Sequence, residues 1–251
     1  YTETELITNA FNKMLGRMKT LDESRQEFVS NVSHELKTPM TSIKVLADSL
    51  VGQENVPVEL YQEFMQDITV EIDRENKIIT DLLSLVKLDK KAADLNIAEV
   101  DINEMLENIL KRLNPIASVK HVELVLESFR PVVAEIDEVK LSLAFSNLIE
   151  NGIKYNVENG YVHVKLDADH KYFFVTVTDS GIGIPDESID KIFERFYRVD
   201  KSHSREIGGT GLGLAIARNA VIVHRGSIKV HSNEGEGTTF SVRIPLSYIP
   251  A

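Results

Sequence analysis

Four short runs of this sequence carry side chains whose types and spacing could do chemistry. The first is Ser33-His34-Glu35-Leu36-Lys37-Thr38-Pro39. On an ideal helix His34 points roughly 160° from the centre of the apolar stripe around it, so it faces solvent. An exposed histidine alone is ordinary surface, but its neighbours are specific. Glu35 can accept the Nδ1 proton and so raise the nucleophilicity of Nε2. Thr38, one turn on and on the same face, can orient a water or a phosphoryl oxygen. Pro39 sits inside a pattern that otherwise continues as helix, and predicts a loosened or kinked helix beside the histidine.

The second run is Asn147-Leu148-Ile149-Glu150-Asn151-Gly152-Ile153-Lys154-Tyr155. Asn147, Asn151, Lys154 and Tyr155 share one side of a helix. That stripe is either a solvated face or a set of amide oxygen, ammonium and phenol ring able to meet Mg²⁺, phosphate and a base. The third, Asp179-Ser180-Gly181-Ile182-Gly183-Ile184-Pro185, follows a strand. It reads either as an Asp-Ser-Gly turn or as a carboxylate for an exocyclic adenine amine, with glycines that let backbone approach a flat ring. The fourth, Gly208-Gly209-Thr210-Gly211-Leu212-Gly213-Leu214, runs into an apolar helix. Backbone N–H groups at a helix start, with the helix dipole behind them, make an anion site. No Gly-Lys-Ser/Thr follows, so it is not a Walker loop, and its Gly-x-Gly-x-Gly spacing is not a dinucleotide fingerprint.

The elements that must position these groups can be read from periodicity. Residues 3–50 read as one long helix, with Phe28, Val32, Leu36, Ile43, Leu46 and Leu50 as the seam of a bundle. Gly52 and Pro57 mark a turn. A second helix over 58–88 carries Phe64, Ile68, Ile72, Ile79, Leu82 and Leu83 on its apolar side. A hairpin of this kind leaves its seam in water, and dimerisation into a four-helix bundle is the economical remedy. After about residue 95 the pattern changes. Asp101 and Glu104 suggest a capping box before a helix over 103–117, followed by short strands at 122–127 and 132–136 and a helix over 137–155. Strands at 161–167 and 172–179, a long loop over 180–210 containing a short helix, a helix over 211–224 and a closing hairpin at 227–232 and 238–245 complete an α/β sandwich.

The 39 acidic residues against 28 basic ones give a net charge of -11, which repels phosphate backbones and argues against nucleic-acid binding. The absence of cysteine excludes disulfides, thiolate metal sites and cysteine nucleophiles. No apolar run approaches the ~20 residues a membrane span needs. The chain begins at Tyr1 rather than Met, and reads as part of a longer protein.

Taken together and in this order, the four runs closely resemble the bacterial two-component sensor histidine kinases. Residues 28–40 resemble their phosphoacceptor box, 147–155 the asparagine box, 179–185 the first glycine box and 209–214 the second. Phe193-Glu194-Arg195-Phe196-Tyr197-Arg198-Val199-Asp200 resembles the phenylalanine box. Residues 1–20 look like the last helix of a HAMP linker. The resemblance implies an α+β multidomain chain. The linker end occupies 1–20 and a dimerising phosphotransfer hairpin 21–94. An ATP-binding sandwich of the histidine kinase, Hsp90 and gyrase type occupies 95–251. It also implies an ATP-dependent protein-histidine kinase. His34 would be the phosphoacceptor, Glu35 the base and Thr38 the group that positions water when the regulator is dephosphorylated. Asn151 would hold Mg²⁺ with Asn147 nearby. Lys154, Arg198 and the backbone of Gly209, Thr210, Gly211, Leu212 and Gly213 would meet the phosphates. Tyr155 and Asp179 would address adenine, with Gly181, Gly183, Ile184 and Tyr197 completing the ATP site, and 180–210 would form a mobile lid. The partners implied are a second copy of the chain and a response-regulator receiver domain. The place implied is the cytoplasmic portion of a bacterial inner-membrane protein. Two departures stand out: Gly152 where alanine is common, and His224-Arg225-Gly226 in place of His-Gly-Gly, where arginine would strain a turn favouring positive φ and disturb packing on the lid side. The rival readings are an ATPase of the gyrase and Hsp90 kind, which the His34 hairpin opposes, and an inactive scaffold, which the intact asparagine and glycine boxes oppose.

Overall fold

The computed structural model describes residues 2–51, 57–89, 95–199 and 209–248. By its packing the chain divides into two compact units, Tyr1–Ile79 and Thr80–Ala251. The division falls inside the second helix, earlier than the change of sequence character near residue 95.

The first unit holds α1 (Thr2–Val51) and most of α2 (Val58–Asp89). The expected α1 seam of Phe28, Val32, Leu36, Ile43, Leu46 and Leu50 is half-buried throughout. Helix α1 continues through Pro39, which is itself buried, so the proline does not end the helix beside His34. On α2 the buried side chains are Ile78, Asp81 and Leu85, while Ile72, Ile79 and Leu83 of the expected stripe stay exposed. Val29, Val45, Tyr61 and Val70 are also exposed, so the hairpin carries much apolar surface with no cover in the single chain. The turn expected at 51–57 lies largely outside the described residues.

The second unit is a sheet with helices on one face. Asp101 caps α3 (Ile102–Val119), its carboxylate accepting from the N–H groups of Asn103 and Glu104. A four-residue strand that periodicity did not reveal, β1 (Ala98–Asp101), pairs antiparallel with β3 (Val133–Ile136) as a separate ribbon. The main sheet has the order β2-β4-β5-β7-β6, from β2 (Glu123–Ser128), β4 (Tyr161–Ala168), β5 (Tyr172–Asp179), β6 (Ser227–Asn233) and β7 (Gly237–Pro245). Strand β2 pairs parallel with β4, and every other pairing is antiparallel. Alternate residues point inward from three neighbouring strands: Val162, Val164 and Leu166; Phe173, Val175 and Val177; Phe240, Val242 and Ile244. They meet α3, α4 (Glu138–Lys154) and α6 (Gly213–Val223), whose Ile109, Phe145, Ile149, Ile216 and Ala220 are buried in the same core. The short α5 (Asp186–Ile189) is the helix expected within the 180–210 loop, and the rest of that loop from 200 to 208 lies outside the described residues.

Candidate functional site

His34 is exposed on α1, and its ring makes no hydrogen bond among the described residues. Pro39 has no N–H to return to the Glu35 carbonyl. One position earlier, Thr38 donates its hydroxyl to the His34 carbonyl at 3.1 Å. The hydroxyl proton is thus spent on backbone, and Thr38 keeps only its oxygen lone pairs for a water or a phosphoryl group. Glu35 is half-buried and not hydrogen-bonded to His34. A groove of about 690 Å³ runs past the histidine, lined by Lys37, Thr38, Ser42, Asp67 and Glu71 among others.

In the second unit the remaining candidate residues converge at one end of the sheet. Asp179 continues the inward row Phe173-Val175-Val177, so the strand register itself drives a carboxylate beneath the helices. Burial pushes its carboxyl up, and two backbone hydrogen bonds, from Gly181 N–H at 2.9 Å and Thr238 N–H at 3.2 Å, partly offset this. Both enter Oδ1, which leaves Oδ2 without a partner among the described residues. Gly181 has no room for a side chain: a Cβ there would lie 2.3 Å from the Tyr155 carbonyl and 2.8 Å from Asp179 Oδ1. Gly183, at φ 72°, would drive a Cβ to 2.0 Å from the Asn233 carbonyl, and Ile184 N–H donates to Ser232 Oγ at 2.9 Å. The first glycine loop is therefore moulded onto the β6–β7 turn.

Helix α4 presents its polar stripe to the start of α6. Asn147 donates through Nδ2 to the Leu143 carbonyl and turns Oδ1 toward Gly213, where an added Cβ would come within 2.8 Å of that oxygen. The side chain of Asn151 has no hydrogen bond among the described residues. Lys154 is engaged by Glu150 at 3.0 Å, with both groups mostly buried, so phosphate would have to compete with that carboxylate. Burial raises the Tyr155 phenol, opposed by the charge of Arg198, and the phenol oxygen lies 3.3 Å from where a Gly209 Cβ would stand. Leu212, the residue before α6, offers no side-chain cap, which leaves the N–H groups of the helix's first turn open to an anion. The crossing of the phenylalanine box and the second glycine loop is tight. Gly211 at φ 70° passes Phe196 at φ 64°, and Phe196 N–H donates to the Gly211 carbonyl at 2.9 Å. The Tyr197 phenol donates to Ser188 Oγ at 3.0 Å and ties this segment to α5.

The Arg225 turn also needs correction. Arg225 does adopt the strained φ of 57°, but at the far end of α6 from the glycine loop, beside Glu135, Pro245 and Tyr248. Strain there does not touch the lid side. The sequence pattern missed two residues. Asp81, near the end of α2, accepts the Thr210 hydroxyl at 2.8 Å, both groups being buried. His224 is 2 % exposed; its Nε2 accepts from Asp137 N–H at 2.9 Å, and its Nδ1 lies 2.7 Å from the Ala220 carbonyl, which fixes the proton on Nδ1. Neither pairing leaves a local signal, because the partners are 129 and 87 residues apart.

Comparison with known proteins matches two domain families. Residues 24–91 match the His Kinase A (phospho-acceptor) domain, and residues 136–248 match the histidine kinase-, DNA gyrase B- and HSP90-like ATPase domain. The sensor histidine kinase WalK of Bacillus subtilis is 37% identical over 228 residues, covering 90% of this chain and 37% of WalK. The chain thus spans well under half the length of that curated relative. The structure of full-length ShkA in complex with AMPPNP superposes with a TM-score of 0.66 at 25% identity, over 90% of this chain and 47% of ShkA. Histidine kinase ThkA in complex with response regulator TrrA shares the fold at a TM-score of 0.72 and 22% identity, over 88% of this chain and 61% of ThkA. With a phosphoacceptor hairpin followed by this ATPase sandwich, in register with WalK along nine-tenths of its length, the chain belongs to the bacterial two-component sensor histidine kinases.

Proposed function

We propose that this chain is the catalytic core of a sensor kinase. It transfers the γ-phosphoryl group of Mg-ATP to His34 and passes it to an aspartate of a response-regulator receiver domain, which it also dephosphorylates. The observation that carries the reading is His34 itself: an exposed imidazole with neither ring nitrogen hydrogen-bonded among the described residues, in one chain with a buried Asp179 carboxylate and an uncapped helix start. In the transfer, the Nε2 lone pair forms the N–P bond as the bond from Pγ to the bridging oxygen of ADP breaks. The Nδ1 proton passes to the Glu35 carboxylate. Asp179 Oδ2 accepts from the adenine amine while Oδ1 stays fixed by Gly181 and Thr238. Tyr155 bounds the base, and Lys154, Arg198 and the N–H groups from Gly209 to Gly213 meet the phosphates.

Among the described residues no cluster of three acidic, histidine or cysteine ligands could hold a metal alone. The donors present suit a hard cation brought in by a triphosphate. Asn151 would hold it, with the Asn147 amide oxygen adjacent. Mg²⁺ bound there would neutralise charge developing on the phosphates.

The exposed apolar side chains of α1 and α2 favour a homodimer, and the groove beside His34 is the natural seat of the receiver domain. No helix among the described residues is long and apolar enough to cross a membrane. Membrane attachment belongs to sequence upstream, reached through a HAMP-like linker ending near Thr20. The test is incubation with Mg²⁺ and γ-labelled ATP beside His34→Ala. Acid-labile, alkali-stable label on the wild type alone is expected. Label on His34→Ala, or ADP release without label on the wild type, would overturn the assignment.

A further inference from the structure

A buried contact at the candidate nucleotide site that the proposed chemistry does not use is the bond from Thr210 to Asp81. Thr210 opens the second glycine loop, and its hydroxyl does two things at once. It donates to Asp81 Oδ2 at 2.8 Å and accepts the N–H of Leu212, the residue just before α6, at 3.3 Å. Asp81 is 8% exposed and Thr210 7%, so water competes little for either group. The loop around Thr210 is fixed on its other side by the Gly211 carbonyl, which accepts from Phe196 N–H. Leu85, one turn beyond Asp81, is buried in the same apolar core as Leu212 and Ile216. The Thr210–Asp81 hydrogen bond and the burial of Leu85 both seat the last turns of α2 against the loop.

A hydroxyl has a single proton to give. While Asp81 holds it, Thr210 cannot donate to a phosphate oxygen at the loop, and a buried carboxylate beside the open N-terminus of α6 opposes the charge that this helix end attracts. We propose that Asp81 is a positioning residue that competes with nucleotide phosphates for the Thr210 hydroxyl. Seating of the last turns of α2 and occupancy of the phosphate loop then weaken one another. This inference rests on the kinase reading above and adds its regulation. Because coupling of two binding events is reciprocal, nucleotide phosphates loosen residues 80–89 to the same degree that Asp81 weakens the nucleotide. Whatever moves α2 along its length then changes nucleotide affinity through this one bond, without altering any residue that touches the base.

The test compares adenosine, Mg-ADP and Mg-AMPPNP on the whole chain by calorimetry, for wild type, Asp81→Asn and Asp81→Ala. The Asn variant keeps an acceptor for Thr210 but removes the charge; the Ala variant removes both. Expected is tighter AMPPNP binding, by about five-fold or more for Asp81→Ala and less for Asp81→Asn, a smaller gain for ADP and a change under about two-fold for adenosine. A merely structural role would shift all three ligands alike. Hydrogen exchange on the wild type gives the reciprocal reading and needs no variant to fold. AMPPNP should speed exchange of amides 80–89 several-fold, and adenosine should not. Equal shifts for all three ligands, weaker AMPPNP binding, or unchanged or slowed exchange at 80–89 would overturn the role of Asp81 alone. Failure of the wild type to bind any nucleotide would overturn the kinase reading, and this inference with it.

Discussion

Asp179 shows how a candidate binding side chain can be an extension of the core. It stands where the alternation of β5 calls for another valine, and its burial is tolerated because two N–H groups converge on one oxygen. Asp179→Asn keeps that pairing if Oδ1 stays in place, but puts an NH₂ donor where Oδ2 was, facing the adenine amine. ATP affinity should fall at least about ten-fold, roughly the 1.4 kcal/mol that a lost polar contact costs, with little change in melting temperature. Isothermal titration beside a thermal melt separates the two effects, and equal affinity would remove Asp179 from the adenine site. Arg225 is the converse, a residue at odds with its backbone. Glycine suits φ 57° and alanine does not, so Arg225→Gly should exceed Arg225→Ala in stability by about 1 kcal/mol with nucleotide affinity unchanged. Chemical denaturation of both variants checks this; a less stable glycine variant would show that the strain is illusory.

At the scale of elements, His224 joins the end of α6 to the first residue before α4, the helix carrying both asparagines. Burial holds its imidazole below the ordinary value of 6.5, against the Ala220 hydrogen bond and the Asp137 carboxylate, while the Lys140 ammonium adds to the depression. Asp137 is itself carried below the usual carboxylate range: burial raises it, but hydrogen bonds from the Lys140 side chain and backbone and from Asn96 outweigh that. With the folded value below the unfolded one, the unfolded chain takes up a proton that the folded chain resists. The stabilisation from neutral His224 is complete above 6.5 and declines as pH falls through it. Thermal melts across this range should show wild-type stability dropping on the acid side and a flatter profile for His224→Gln; parallel profiles would exclude the histidine as the source.

This link also marks the limit of what periodicity can say. The long helices, the sheet strands and all the boxes were legible because each is a local pattern: a seam at helical spacing, alternation along a strand, glycines before an apolar helix. Strand β1 is too short to show alternation, and β2 gave no hint that it would join the sheet parallel to β4. The helix runs on through Pro39, as its apolar pattern on both sides requires, and buries the ring. Asp81 looked like one more polar residue on α2, for its partner is 129 residues away.

For the whole molecule, the apolar surface left on the hairpin is the feature with the largest consequence for state of assembly. Ile72 lies on the stripe of half-buried Phe64 and Ile68 yet is 43% exposed in the single chain. Sedimentation should give twice the 28.2 kDa chain mass. Ile72→Glu should favour the monomer while leaving nucleotide affinity intact, since the residues proposed to bind ATP lie wholly within the second unit. A monomeric wild type would count against the bundle.

Strand β7 lies between β5 and β6 although it follows both in sequence. Until residues 237–245 have left the ribosome, β5 is an unpaired edge and Asp179 lacks the Thr238 N–H that helps stabilise its buried carboxylate. The nucleotide site therefore cannot mature during synthesis. A nascent chain stalled before β7 would neither hold ATP nor waste it, and would be a substrate for chaperones and proteases rather than a premature kinase.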